Sequence, residues 1–254
     1  MIIIILFAGA KNACASSLQV PVLVYHSIGS AQSKKASPVG LQPRETAMQT
    51  HYRVTTEVFE KQMKYLSDNG YHPISFATYV NSFRIYVMKL PPKPIVLSFD
   101  DGWKTQYKNA VPILEKYKFT ATFFIVTSYV GDRYGEYMNW SDLKDLVANG
   151  FDIESHTRTH SILTRVAPTQ LPSELVDSKK ILETKLGIKV IALAYPNYAE
   201  NDIVREALKT AGYSGARAGW ARFANSIDHI YQLKSQEAVN NPDPFSSIRL
   251  PDLP

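Results

Sequence analysis

The stretch Pro94-Ile-Val-Leu-Ser-Phe-Asp-Asp-Gly102 decides the fold. Its apolar, β-branched start reads as a strand buried on both faces, and such strands belong to parallel sheets covered by helices. It delivers two adjacent carboxylates to a Gly at which the backbone can turn. Two neighbouring carboxylates in a buried place cannot both be ionised cheaply unless a cation stands beside them. Further along, Phe151-Asp-Ile-Glu154 is a second strand-like run, and it ends in Ser155-His-Thr-Arg-Thr-His160, with two imidazoles four residues apart. Two His and one Asp make a facial set of metal ligands that leaves positions for water and substrate. The other Asp is then free to act as a base.

Outward from these runs, apolar strands alternate with amphipathic helices. Val22-Leu-Val-Tyr-His26, Ala121-Thr-Phe-Phe-Ile-Val126 and Val190-Ile-Ala-Leu-Ala-Tyr195 read as buried strands. Helices are expected after Thr55 or Thr56, near Pro112, after Ser141, from Ser173 to Gly187, and from Asn201 to Gly212. Residues from Gly29 to about His51 read as a long polar loop. The alternation predicts an α/β protein with a parallel sheet, open or closed into a barrel. The candidate ligands all follow strand ends, which favours a barrel whose C-terminal rim gathers groups from several strands.

At 254 residues, 45% hydrophobic and 20% charged, the chain suits one large globular domain. Its formal charge of +5 comes without a Lys/Arg stripe interleaved with aromatics, so no nucleic-acid partner is expected. Met1-Ile-Ile-Ile-Ile-Leu-Phe-Ala8, followed by Ala13-Cys-Ala15, has the apolar core and small-residue end of a secretory signal peptide, though not its basic start. It is too short to span a bilayer, which takes about 20 apolar residues, so no transmembrane span is expected. Cys14 is the only cysteine, which excludes a disulfide framework and a Cys nucleophile in the remainder.

Ser98-Phe-Asp-Asp-Gly102 and Ser155-His-Thr-Arg-Thr-His160 resemble the first and second motifs of the polysaccharide deacetylases, carbohydrate esterase family 4. Ala110-Val-Pro-Ile-Leu114, Ala121-Thr-Phe-Phe-Ile125, Val24-Tyr-His26 and Phe59-Glu-Lys-Gln62 are similar to the family as well, and the resemblance covers most of residues 20–215. It implies a single-domain, distorted (β/α) barrel, TIM-like, with seven or eight strands. It also implies removal of acetyl groups from sugars, with Asp100 as general base and Asp101, His156 and His160 holding a divalent metal, commonly zinc. The third motif corresponds to Ala194-Tyr-Pro-Asn-Tyr198, which lacks the usual Arg, as in the poly-N-acetylglucosamine branch of the family. There the backbone near Asn197 would hold the oxyanion, and Tyr195 and Tyr198 could stack on sugar rings. The last motif should supply a His as general acid, yet Tyr231-Gln-Leu-Lys-Ser235 has none; His229 is offset, and His26 reads as a satisfied polar residue.

The resulting expectation is a signal peptide over 1–15, the N-terminal part of the barrel with its polar loop over 16–92, and a deacetylase catalytic domain over 93–254. Such an enzyme would be secreted, periplasmic or at the cell surface, and would remove N-acetyl groups from an acetylated polysaccharide, its partner and substrate. No oligomeric state follows from the sequence. The missing Arg and the missing late His motivate a rival, a catalytically silent glycan-binding homologue. A second rival, a non-haem iron oxygenase with the same ligand set, conflicts with the strand–helix alternation.

Overall fold

The computed structural model describes residues 20–29, 52–85, 87–132, 135–219 and 225–241. The expected signal peptide, Cys14, nearly all of the polar loop and Trp220, which ends the stretch Ala216–Trp220 that faintly resembles the family's fourth motif, lie outside them. Among the described residues, eight strands pair in parallel in the order β7-β6-β5-β4-β3-β1-β8, with β2 also on β3. They are β1 (Val22–Tyr25), β2 (His72–Ile74), β3 (Pro94–Phe99), β4 (Thr122–Ile125), β5 (Asp152–Ser155), β6 (Ala192–Ala194), β7 (Gly215–Arg217) and β8 (Gln236–Glu237). Segment 233–238 pairs first with β7, through Leu233 opposite Arg217, and then with β1. It thereby curls the sheet into the expected barrel.

The helices follow from local chemistry. Thr55 caps α1 (Thr56–Asp68), its hydroxyl accepting the Val58 N–H at 3.2 Å. Ser75 caps α2 (Phe76–Ser82), which, like β2 and β7, is too short to leave a periodicity in the sequence. Pro112 sits in the first turn of α3 (Val111–Lys116). α4 (Trp140–Ala148) is capped by Asn139 rather than Ser141, because Asn139 and Asp142 exchange bonds as a capping box. α5 (Leu171–Leu186) starts two residues before Ser173, with Pro172 in its first turn, and stops at the left-handed Gly187. α6 (Asp202–Thr210) is capped by Asn201.

Alternation along the strands separates two layers. Ile95, Leu97 and Phe99 of β3, with Phe123 and Ile125 of β4, face the helices in the main core. Val96, Phe124, Ala192 and Ala194 face inward, where Phe76, Tyr79 and Val80 of α2 share their cluster. Tyr25, Phe99 and Phe123 stack across three neighbouring strands, with ring centres 5.3 and 4.9 Å apart. Each such pair contributes about 0.5–1.5 kcal/mol beyond its buried area. Both sheet faces are therefore apolar, as the unbroken run 95–97 requires.

Candidate active site

The same alternation aims the polar groups. Counting inward-facing positions, β1 gives 22, 24 and 26; β3 gives 96, 98 and 100; β5 leads to 154 and 156; β7 gives 215 and 217. His26, Asp100, His156 and Glu237 all line one cavity of about 300 Å3 at the C-terminal ends of the strands. Asp101 would face outward by alternation. Its left-handed backbone, φ 73°, turns it back, and Gly102 follows at φ 84°. A Cβ on Gly102 would meet Ile125 Cδ1 at 3.2 Å, so the residue at this turn must be small as well as left-handed.

Asp101, His156 and His160 converge as a triad whose ligand atoms lie within 4.8 Å of one another. Asp101 Oδ1 is 3.5 Å from His156 Nε2 and 3.4 Å from His160 Nε2. Two ligands about 2.1 Å from a tetrahedral ion stand about 3.4 Å apart, so the spacing fits a small divalent cation. Asp101 Oδ1 is buried and accepts no hydrogen bond. His156 Nδ1 lies 2.8 Å from the Ala194 carbonyl, which can only accept, so the proton sits on Nδ1 and the Nε2 lone pair faces the triad. Burial, above all, together with the neighbouring His160 and Arg217, lowers the His156 pKa to about 4 against the pull of Asp100 and Asp101, and the ring is neutral. The donor set suits a metal.

The loop between the two imidazoles is held from α5. Glu174 accepts the amides of Arg158 and Thr159 at 3.1 and 2.9 Å and the Thr159 hydroxyl at 2.6 Å. Thr157 Oγ1 accepts the His160 N–H at 3.0 Å, which stabilises His160 at φ 62°.

Asp100 is buried beside the triad, its Oδ2 3.8 Å from His156 Nε2. It forms an ion pair with Arg217, whose guanidinium lies over the rings of Phe124 and Tyr198. Burial alone would raise the Asp100 pKa; the charge of Arg217, helped by His156 and His26, outweighs it and keeps the carboxylate ionised. Arg217 ends β7, which pairs with β6, the strand that leads into Tyr195–Tyr198.

His26 stands on the other side of Asp100, its Nε2 3.9 Å from Oδ2. Glu237 is 3.5 Å from its Nδ1, and Tyr52 stacks on it at 4.9 Å. Burial pushes its pKa down, but Glu237, Asp100 and Asp101 together raise it to about 9, so the ring is cationic at neutral pH. His26 and Arg217 are the charged neighbours of Asp100 that the motifs did not point to. Their one signal was parity, which puts His26 at the end of β1 where Asp100 ends β3. His229 is exposed in the turn Ile227–His229 and does not line the cavity.

Asn197 and Tyr198 line the cavity in a left-handed turn, φ 53° and 57°. The Tyr198 and Ala199 amides are engaged by Tyr195 O and Pro196 O. Tyr198 donates its hydroxyl proton to Glu237, and Gly219 packs under its ring, where a Cβ would come within 2.5 Å of Tyr198 Cγ. Tyr195 lines the cavity too, but it is nearly buried and its hydroxyl donates to Tyr231 O at 3.0 Å. Trp140 packs against the outer core.

A curled parallel barrel with a two-His, one-Asp cluster and a second ionised Asp at its rim has the outline of a carbohydrate-esterase barrel. The chain matches the polysaccharide deacetylase family model over residues 88–216, about half its length, and belongs to that family. It is 31% identical over 196 residues to YxkH of Bacillus subtilis, covering 77% of this chain and 62% of that one. To the poly-β-1,6-N-acetyl-D-glucosamine N-deacetylase of Staphylococcus aureus it is 31% identical over 176 residues, covering 64% and 59%. The chain therefore spans about three fifths of the length of these relatives. The structure of the Streptococcus pyogenes deacetylase PplD in complex with acetate superposes with a TM-score of 0.77 at 26% identity, covering 90% of this chain and 96% of that one. A Bacillus cereus polysaccharide deacetylase gives 0.71 at 29%, covering 88% and 66%. Among the described residues, no helix is long and apolar enough to cross a membrane.

Proposed function

We propose that this chain is a metal-dependent hydrolase that removes N-acetyl groups from an N-acetylhexosamine polysaccharide. The observation that carries the reading is the bare, buried Asp101 Oδ1, nearly equidistant from two imidazole nitrogens and flanked by a second ionised carboxylate. Asp101, His156 and His160 would hold the ion, zinc by resemblance to the family. When bound, a divalent cation polarises an acetyl carbonyl and acidifies water.

The chain's own groups divide the remaining work. Asp100, kept anionic by Arg217, takes a proton from the attacking water, a contribution of about 10²–10⁴-fold. By resemblance to the family, the backbone at Asn197, which lines the cavity, would face the oxyanion. His26, kept cationic by Glu237, gives its proton to the sugar nitrogen as the C–N bond breaks. Acetate leaves and a free amine remains on the polymer. Two groups of opposite charge, their pKa values pushed apart by their surroundings, are what an acid–base pair requires.

A cavity of about 300 Å3 is at the lower end of the range for small-molecule pockets and suits one sugar unit with its acetyl group. A polymer of N-acetylglucosamine is supported by the similarity to the poly-β-1,6-N-acetyl-D-glucosamine N-deacetylase of Staphylococcus aureus. Action on such a polymer at the cell surface fits the apolar start of the chain. Arg217 and His26, both charged and beside Asp100, are our candidates for the third-motif Arg and the late His whose absence motivated a silent binding homologue.

The test is acetate release from chitooligosaccharides and poly-N-acetylglucosamine, with and without chelator. We expect chelator to abolish turnover and added zinc to restore it. Asp100→Asn should keep the metal and lose turnover; loss of metal in that variant would mean that the two carboxylates have exchanged roles.

A further inference from the structure

We infer that Trp103 is a positioning residue that sorts the two oxygens of Asp101, and so sets how tightly the triad holds its cation. This rests on the metal-site reading above and adds to it a residue outside the family motifs. Its indole Nε1–H donates to Asp101 Oδ2 at 2.9 Å. That leaves Oδ1, which accepts no hydrogen bond, as the atom facing His156 and His160. An indole N–H is a donor only, so Trp103 cannot itself bind a cation. With Oδ2 engaged, Asp101 would offer an ion Oδ1 alone. A carboxylate free to rotate could offer both oxygens and take a coordination position that catalysis needs for water or substrate.

The indole is locked in place. Trp103 and Tyr137 form an antiparallel bridge, flanked by Met138 N to Gly102 O at 2.8 Å and Lys104 N to Glu136 O at 2.7 Å. The Trp103 ring stacks on Tyr137 at 4.3 Å and 26°, and Tyr137 in turn sits 4.6 Å from Tyr129. Tyr129 lies 6.4 Å from the His160 ring. An arc of aromatic rings thus runs from one ligand to another along the cavity wall. Hydrogen bonds behind metal ligands typically change affinity by about 10–100-fold.

The experiment is a zinc titration of the metal-free full chain against a chromophoric chelator, comparing wild type with Trp103→Phe, which keeps a stacking ring and removes the donor. We expect one equivalent bound by both and a Kd about 10–100-fold weaker in the variant, with the metal-free variant still unfolding in a single cooperative transition. If Trp103→Phe does not fold, benzothienylalanine at position 103, which swaps the N–H for sulfur at constant shape, should give the same loss. A Kd within about twofold of wild type overturns this inference and leaves the metal-site reading standing. A wild-type chain that takes up no zinc overturns both.

Discussion

Replacing Arg217 with Met tests what keeps Asp100 ionised. Met fills similar space between the rings of Phe124 and Tyr198, where the Arg217 guanidinium now lies 5.1 and 5.6 Å from their centres. Breaking a buried ion pair by removing one partner costs about 3–5 kcal/mol, because the other charge stays buried without compensation. Two cation–π contacts are lost as well, each about 1–2 kcal/mol when desolvated. Against this, Nε and Nη1 of Arg217 are buried without partners, and their removal returns part of the cost. The net expectation is a loss of about 3 kcal/mol at pH 7 for the metal-free protein, read by urea unfolding. The sign with pH follows from Asp100: its pKa is lowered in the folded state, chiefly by Arg217 acting against burial. That stabilisation is present above the ordinary Asp pKa, about 3.9, and is lost as pH falls through the depressed folded value. In Arg217→Met burial loses its main opponent and the Asp100 pKa rises from its wild-type position, so the difference from wild type is largest near neutrality and shrinks on acidification. The acid limb of kcat/KM should move to higher pH, and the double variant Asp100→Asn/Arg217→Met should be more stable than Arg217→Met alone. A loss below about 1 kcal/mol with an unmoved acid limb would refute the account, since it would mean the pair carries neither charge nor coupling.

His26→Asn should slow amide hydrolysis by about 10²–10⁴-fold but an activated acetyl ester far less, because only a poor leaving group needs the proton. In the wild type the basic limb of kcat/KM should fall as pH rises through about 9, where His26 loses its charge. Glu174→Ala removes three hydrogen bonds from the loop between the imidazoles and should destabilise the chain by about 2–4 kcal/mol in urea unfolding, while weakening zinc binding in the chelator titration. Gly219→Ala drives a Cβ to within 2.5 Å of Tyr198 and should cost about 1–3 kcal/mol by thermal unfolding, with kcat falling as the turn at Asn197 shifts.

What could be read in the sequence was what lies contiguously in it. Pro94–Gly102 contains a whole strand, its two-layer alternation and both carboxylates; Phe151–His160 contains another strand and both imidazoles. What escaped reading was supplied by topology. Arg217 closes a strand of three residues, Gly215–Arg217, too short to mark a period, and it reaches Asp100 only because the sheet curls. His26 lies far upstream of both motifs, and it nears Asp100 because β1 pairs in register with β3, Tyr25 opposite Phe99. Glu237 is brought there by the closing segment between β7 and β1. The Asn139 cap was missed for a different reason: Ser141 and Asn139 are both good caps, and the reciprocal bond from Asp142 decides between them.

Asp101, Thr157, His160, Asn197 and Tyr198 all carry backbone at positive φ, and all are non-glycine. Each conformation costs about 1–2 kcal/mol relative to a relaxed backbone, so the rim is the least comfortable part of the barrel. Glycine there would ease the chain while discarding the Asp101 and His160 ligand atoms, the Thr157 hydroxyl that holds the His160 amide, and the cavity-lining side chains of Asn197 and Tyr198. Selection for heat resistance alone should therefore erode this rim first, and a library enriched for thermal survival would be depleted in turnover at these five positions.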